Sequence, residues 1–144
     1  MNTGRFAGAV IGVWIVRVAL NATFYTQIVG QQFEQMSSAH PGMFRTVIPA
    51  YIVTDLIFAL VFTFLFVKVG AALGGPALGG GLKAGTTLGV IVGILSPVLG
   101  NLYQYYSVTY LPAGLAFTDS IFHVIAHAIE GGVAGLIYKD IGPL

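Results

Sequence analysis

The chain has 144 residues, 56% of them hydrophobic and only 8% charged, and its mean hydropathy is +0.88. A soluble domain carries about 25% charged residues, so the composition excludes an ordinary soluble fold and predicts an integral membrane protein. A net charge of +1 offers no basic footprint for nucleic acid, and the lack of cysteine excludes disulfides, thiolate metal centres and iron–sulfur ligation.

A bilayer-spanning helix needs about 20 mostly apolar residues. Four stretches meet that requirement, at about 6–26, 46–69, 83–106 and 115–138. They predict an all-α four-helix transmembrane bundle in a single membrane domain covering residues 1–144. Lys and Arg residues outside the spans set the orientation. Arg5, Lys68, Lys83 and Lys139 fall on one side and Arg45 on the other, so both termini are expected in the cytoplasm. Tyr25, Tyr51, Tyr103, Tyr105, Tyr106 and Tyr110 gather towards the opposite side, as an aromatic interface belt does. Only Tyr138 lies on the terminal side.

The first stretch opens with Gly4, Gly8 and Gly12 at four-residue spacing, a small-residue ridge that lets a neighbouring helix approach closely. This ridge is read as packing within the bundle. Trp14, Arg17, Asn21 and Tyr25 share roughly one face, and Arg17 interrupts the apolar run that a cleaved signal peptide would need. The connection from Thr26 to Arg45 is polar and expected at the surface, with His40 solvated beside Pro41-Gly42.

The second stretch has Pro49 in its first turn, where a missing N–H costs little. It carries one acid, Asp55, followed by Phe58, Phe62, Phe64 and Phe66. A glycine-rich connection with Pro76 leads to the third stretch, where Gly85, Gly89 and Gly93 repeat the ridge. Ser96-Pro97 is expected to kink that helix, ahead of Asn101. In the fourth stretch Asp119, His123, His127 and Glu130 fall within an arc of roughly 80° on one helix face.

Two internal matches point to a candidate duplicated helical hairpin. GRFAGAVIGV (4–13) aligns with GLKAGTTLGV (81–90), extended by an Asn-x-x-x-Tyr at Asn21–Tyr25 and Asn101–Tyr105. Thr54-Asp55-Leu56-Ile57-Phe58 echoes Thr118-Asp119-Ser120-Ile121-Phe122. Two-span copies point the same way across the membrane.

At about 1.5 Å per residue from the terminal-side cations, Arg17, Asp55, Ser96, His127 and Glu130 lie about 14–20 Å deep. The hydrocarbon core is about 30 Å thick, so the five are expected near its middle, facing a shared interior. Arg17, Asp55, Asn101 and Glu130 are the expected buried polar network. His123, His127, Glu130 and Asp119 are the candidate metal ligands, an imidazole and carboxylate set that suits zinc, manganese or iron.

Three readings follow. The first is an accessory or structural membrane subunit, inside a larger complex or a homo-oligomer, with the network fixing helix register. The second is a metal-binding, proton or small-solute transport protein using His123, His127 and Glu130. The third is a haem- or pigment-binding subunit of a redox complex. No covalent catalysis is expected, because no nucleophile motif surrounds Ser96 or Ser120.

The segments TDLIFALVFTFLFVKVG (54–70), GLKAGTTLGVIVG (81–93) and GGVAGLIYK (131–139) resemble small four-helix bacterial membrane proteins of a domain-of-unknown-function type. That resemblance implies a bacterial inner-membrane four-helix protein and no particular activity.

Overall fold

The computed structural model describes residues 2–42, 47–74, 81–108 and 111–138. Arg45, Pro76, Tyr110 and Lys139 lie outside the described residues. Every regular element among the described residues is helical. In chain order these are α1 (Thr3–Thr23), a π-helical turn (Phe24–Ile28), α2 (Gly30–Ala39), α3 (Ile48–Gly74), α4 (Gly81–Gly93), a second π-helical turn (Ile94–Val98), α5 (Leu99–Ser107) and α6 (Ala113–Ile137). Four helical segments are long and apolar enough to cross a membrane: Thr3–Ile28, Ile48–Gly70, Gly81–Ser107 and Ala113–Ile137. Their bounds follow the hydropathy of the sequence to within a few residues.

Asn2 caps α1 through its side chain, which accepts a hydrogen bond from the Arg5 N–H at 3.1 Å and satisfies one of the free donors of the first turn. Its own backbone N–H donates to the Tyr138 hydroxyl at 3.2 Å. The start of α1 and the end of α6 are therefore tied at one end of the bundle, here the terminal end.

The closest packing is between α4 and α6. A Cβ on Gly81, Gly85 or Gly89 would be driven into the carbonyl oxygen of Gly135, Gly131 or His127 respectively, and one on Gly131 or Gly135 into the carbonyl of Gly85 or Gly81. Only glycine permits this backbone-on-backbone contact. The earlier ridge on α1 packs differently. Gly8 and Gly12 face the Ile137 side chain of α6, at 3.5 and 2.6 Å from an added Cβ. Both ridges serve contacts inside the bundle, but they do not serve the same contact.

Between these helices the terminal half is filled by apolar side chains, chiefly Ala9, Val13, Ala59, Phe62, Phe66 and Leu88. The far half is filled differently. There Phe24, Val29, Met36 and Leu115 are buried together, and Phe24 stacks on Phe122 with ring centroids 3.8 Å apart. Within the connection expected at the surface, Gly30–Ala39 forms the helix α2, mostly exposed, with Met36 packed near Leu115 at the far end of α6. Pro97 lies inside the second π-helical turn, which is how the helix accommodates the missing N–H and the ring.

Candidate functional site

Between the apolar terminal half and the aromatic far half lies a band of polar side chains, centred on Arg17 of α1. Its Nε donates to Asp55 Oδ1 of α3 at 2.7 Å, and its Nη1 donates to both Glu130 oxygens of α6 at 3.3 and 3.4 Å. The guanidinium carbon stands 3.8 Å from the centre of the Phe58 ring, a cation–π contact that replaces part of its lost hydration. Asn21, one turn on from Arg17, donates to both Asp55 oxygens at 3.3 and 3.4 Å. One cation thereby links three of the four long helices.

A second cluster sits further along α6. The Tyr25 hydroxyl donates to Asp119 Oδ1 at 2.6 Å and lies 3.1 Å from His123 Nε2. Asn101 of α5 donates to Asp119 Oδ2 at 2.7 Å and to Ser120 Oγ at 3.1 Å. Asp119 thus holds donors from the first π-helical turn and from α5 at once.

The two histidines join these clusters. His127 is 2% exposed and Glu130 fully buried, with Nδ1 and Oε2 3.5 Å apart. His123 Nε2 is 3.6 Å from Asp119 Oδ2. The His123 and His127 rings are perpendicular, with centroids 5.6 Å apart. In each ring Nδ1 is buried and makes no hydrogen bond within the protein. A track of ionisable groups therefore runs from Asp119 through Tyr25, His123, His127 and Glu130 to Arg17 and Asp55.

The structure brings some of the expected site residues together and separates others. Arg17, Asp55 and Glu130 do meet, but Asn101 is not with them. It lies past the Pro97 turn and bonds Asp119 instead. Ser96 is exposed on the outside of the bundle, because the π-helical turn alters the register at which its side chain leaves the helix. The four candidate metal ligands divide into two carboxylate–histidine pairs. Among the described residues no three His, Asp or Glu side chains converge where one ion could be held. The physical reason is that all four project from one helix, with Asp119 and His123 drawn towards Tyr25 and Glu130 drawn towards Arg17. For a haem, the two rings leave the same face of the same helix and are not an opposed axial pair.

Tyr25 lies among the aromatics of the far side, yet its hydroxyl links the turn after α1 to the Asp119–His123 pair. The signal was present in the sequence, since Tyr25 shares the helix face of Arg17 and Asn21. Phe58, in the Thr-Asp-x-Ile-Phe repeat, also belongs to the site, beneath Arg17 and 5.0 Å from the His127 ring. No protein-family model matches the chain, and comparison with curated proteins and with solved structures finds no match.

Proposed function

We propose that the chain is an integral membrane protein, of a bacterial inner membrane with both termini cytoplasmic, and that its buried track binds and passes protons. Four apolar helices support the membrane placement, and Arg5, Lys68 and Lys83 at the terminal end support the orientation. The observation that carries the proton reading is the pairing itself. Each histidine of α6, one half-buried and one buried, stands against a carboxylate, and the two pairs adjoin along the helix.

Charge makes the pairing consequential. With neutral histidines, one guanidinium faces the three carboxylates of Asp55, Glu130 and Asp119, leaving two uncompensated negative charges. Uncompensated charge at membrane depth is expensive, so the site retains protons. Each carboxylate–histidine pair offers two neighbouring sites for such a proton, one on oxygen and one on nitrogen.

Tyr25 supplies a means of transfer in the outer pair. When Asp119 carries the proton, it donates to the tyrosine oxygen, and the tyrosine donates to a bare His123 Nε2. When the imidazole carries it, His123 Nε2–H donates to the tyrosine, which donates to the Asp119 carboxylate. The net charge is the same in both states, and in the second it is separated into a carboxylate and an imidazolium that the tyrosine hydroxyl holds together as an ion pair. The step from His123 to His127 has no direct hydrogen bond. The two rings stand perpendicular with centroids 5.6 Å apart, so this step needs a ring movement. Completing passage requires the apolar floor of Val13, Phe62 and Phe66 to part.

Proteoliposomes test this reading. Wild-type protein should discharge an imposed pH gradient faster than protein-free vesicles, and Glu130→Gln or His127→Gln should return the rate to the protein-free value. Wild-type protein at the protein-free rate would overturn transport.

A specific observation favours a second reading, an accessory or structural subunit within a larger membrane complex or homo-oligomer. Arg17 binds α1 to both α3 and α6, which fixes register whether or not protons move. This reading expects lower thermal stability in Arg17→Leu and a stable partner on mild extraction, with no proton flux in any variant.

The Asn21–Asp55 and Asn101–Asp119 bonds also link aligned positions of the two candidate hairpins. They support the proposal that the bundle arose by duplication.

A further inference from the structure

The outer end of the track lies under α2. The Tyr25 ring meets Phe33 edge-on, with centroids 5.6 Å apart. Leu115 stands four residues, about 6 Å along the helix, outside Asp119 on nearly the same face of α6. Leu115 is 3% exposed and Met36 8%, and the two form one apolar layer with Phe24 and Val29. On the outer side of that layer, between α2 and the start of α6, lies a groove of about 500 Å³. Gln32, Gln35, His40 and Thr118 give it polar walls, and Met36 and Leu115 line it as well. Gly114 also borders it, and a Cβ there would meet nothing within 4 Å.

We propose that this groove is the water-filled outer mouth of the proton track, and that the Met36 side chain closes it. Water occupies a cavity that is roomy and offers polar partners. Two amides, an imidazole and a hydroxyl around this volume meet both conditions. The other groove of the molecule, between α5 and α6, does not lead to the track in the same way. Asn101 and Ser120, its polar side chains nearest Asp119, are already bonded to Asp119 and to the Ala116 carbonyl. In the α2 groove Thr118, the residue before Asp119, brings a polar wall next to the first carboxylate of the track, and the Met36–Leu115 layer separates the water from it. Methionine is unbranched and turns about three side-chain bonds, so Met36 can swing off Leu115 while α2 stays in place. A proton crossing the opened layer is taken up by the Asp119 carboxylate, which already accepts from Tyr25, and from there exchanges with His123. This inference rests on the proton reading and adds where protons enter.

Proton flux into proteoliposomes under an imposed pH gradient tests it. Gly114→Trp fills the groove from a position with open space around it and should remove all flux above the protein-free rate. Leu102→Trp places the same bulk at an exposed position in the α5–α6 groove and should leave flux at the wild-type rate. Met36→Ala takes away the closing side chain and should raise flux above wild type. Helical content and thermal unfolding of each variant show that the fold is retained. Wild-type flux in Gly114→Trp, an equal loss in Leu102→Trp, or no gain in Met36→Ala would overturn the proposal. Wild-type protein without any flux would remove proton passage itself and this entrance with it, whereas wild-type flux that Gly114→Trp leaves intact would remove the entrance alone.

Discussion

Arg17 and Asp55, from the first and second long helices, meet with Nε 2.7 Å from Oδ1 and each side chain 13% exposed. The same guanidinium reaches Glu130 of the fourth, which is fully buried. Removing the cation strands two carboxylates, and breaking a buried pair from one side costs about 3–5 kcal/mol. Arg17→Leu is expected to lower the unfolding midpoint by an amount of that order. Asp55→Asn, which keeps the shape and an acceptor for Arg17, should cost less, about 1–3 kcal/mol. Thermal unfolding in one detergent compares the two, and an unchanged midpoint in Arg17→Leu would contradict the clamp.

Glycine positions along the third long helix should respond in opposite ways to the same methyl group. At Gly85 the new Cβ collides with the Gly131 carbonyl, a backbone atom that cannot swing aside. Gly85→Ala is therefore expected to separate α4 from α6 and reduce folded yield severely. At Gly100 nothing lies within 4 Å, and alanine should stabilise the helix by about 0.5–1 kcal/mol through backbone entropy. Size-exclusion profiles and unfolding midpoints of the two variants measure the contrast.

Tyr25→Phe removes only the hydroxyl and leaves the ring packed edge-on against Phe24 and Phe33. Asp119 keeps its bond from Asn101, so the stability cost should be small, about 1 kcal/mol. Proton flux should nevertheless fall towards the protein-free rate, because the group that connects Asp119 to His123 is gone. Flux unchanged in Tyr25→Phe would show that protons do not use this link.

The chain has no cysteine, so single introduced thiols report topology without background. With cytoplasmic termini, Asn2→Cys should react with a membrane-impermeant maleimide only after the cells are opened. Gln32→Cys, on exposed α2, should react in intact cells. The reverse pattern would invert the orientation.

Much of this architecture was legible in the sequence, and for a simple reason. Hydropathy marks long helices because an apolar environment demands continuous apolar surface, and depth along a helix follows from a fixed rise per residue. Counting from Arg5, Lys68 and Lys139 was therefore enough to bring Arg17, Asp55 and Glu130 to one level. The same counting failed for Ser96, because it assumes an unbroken helix and the turn around Pro97 changes the angle at which side chains emerge. Height also says nothing about direction, so the position of Tyr25 alone reads as an interface aromatic, and only Asp119 and His123 of α6 give its hydroxyl a role. The partner of the third-helix ridge was written as Gly131 and Gly135, but a glycine spacing does not name the helix it will meet. Likewise the four acids and imidazoles of α6 read as one ligand set because they share a face. Their division into pairs is imposed by Tyr25, Asn101 and Arg17 on other helices.

The most direct measurement is infrared difference spectroscopy of the membrane-reconstituted protein at neutral pH, in water and in deuterium oxide. Retained protons predict deuterium-sensitive signals from a protonated carboxyl or an imidazolium in the wild type, diminished in Glu130→Gln and in Asp119→Asn. A wild-type spectrum with only ionised carboxylates and neutral imidazoles, unaltered by either substitution, would contradict the account.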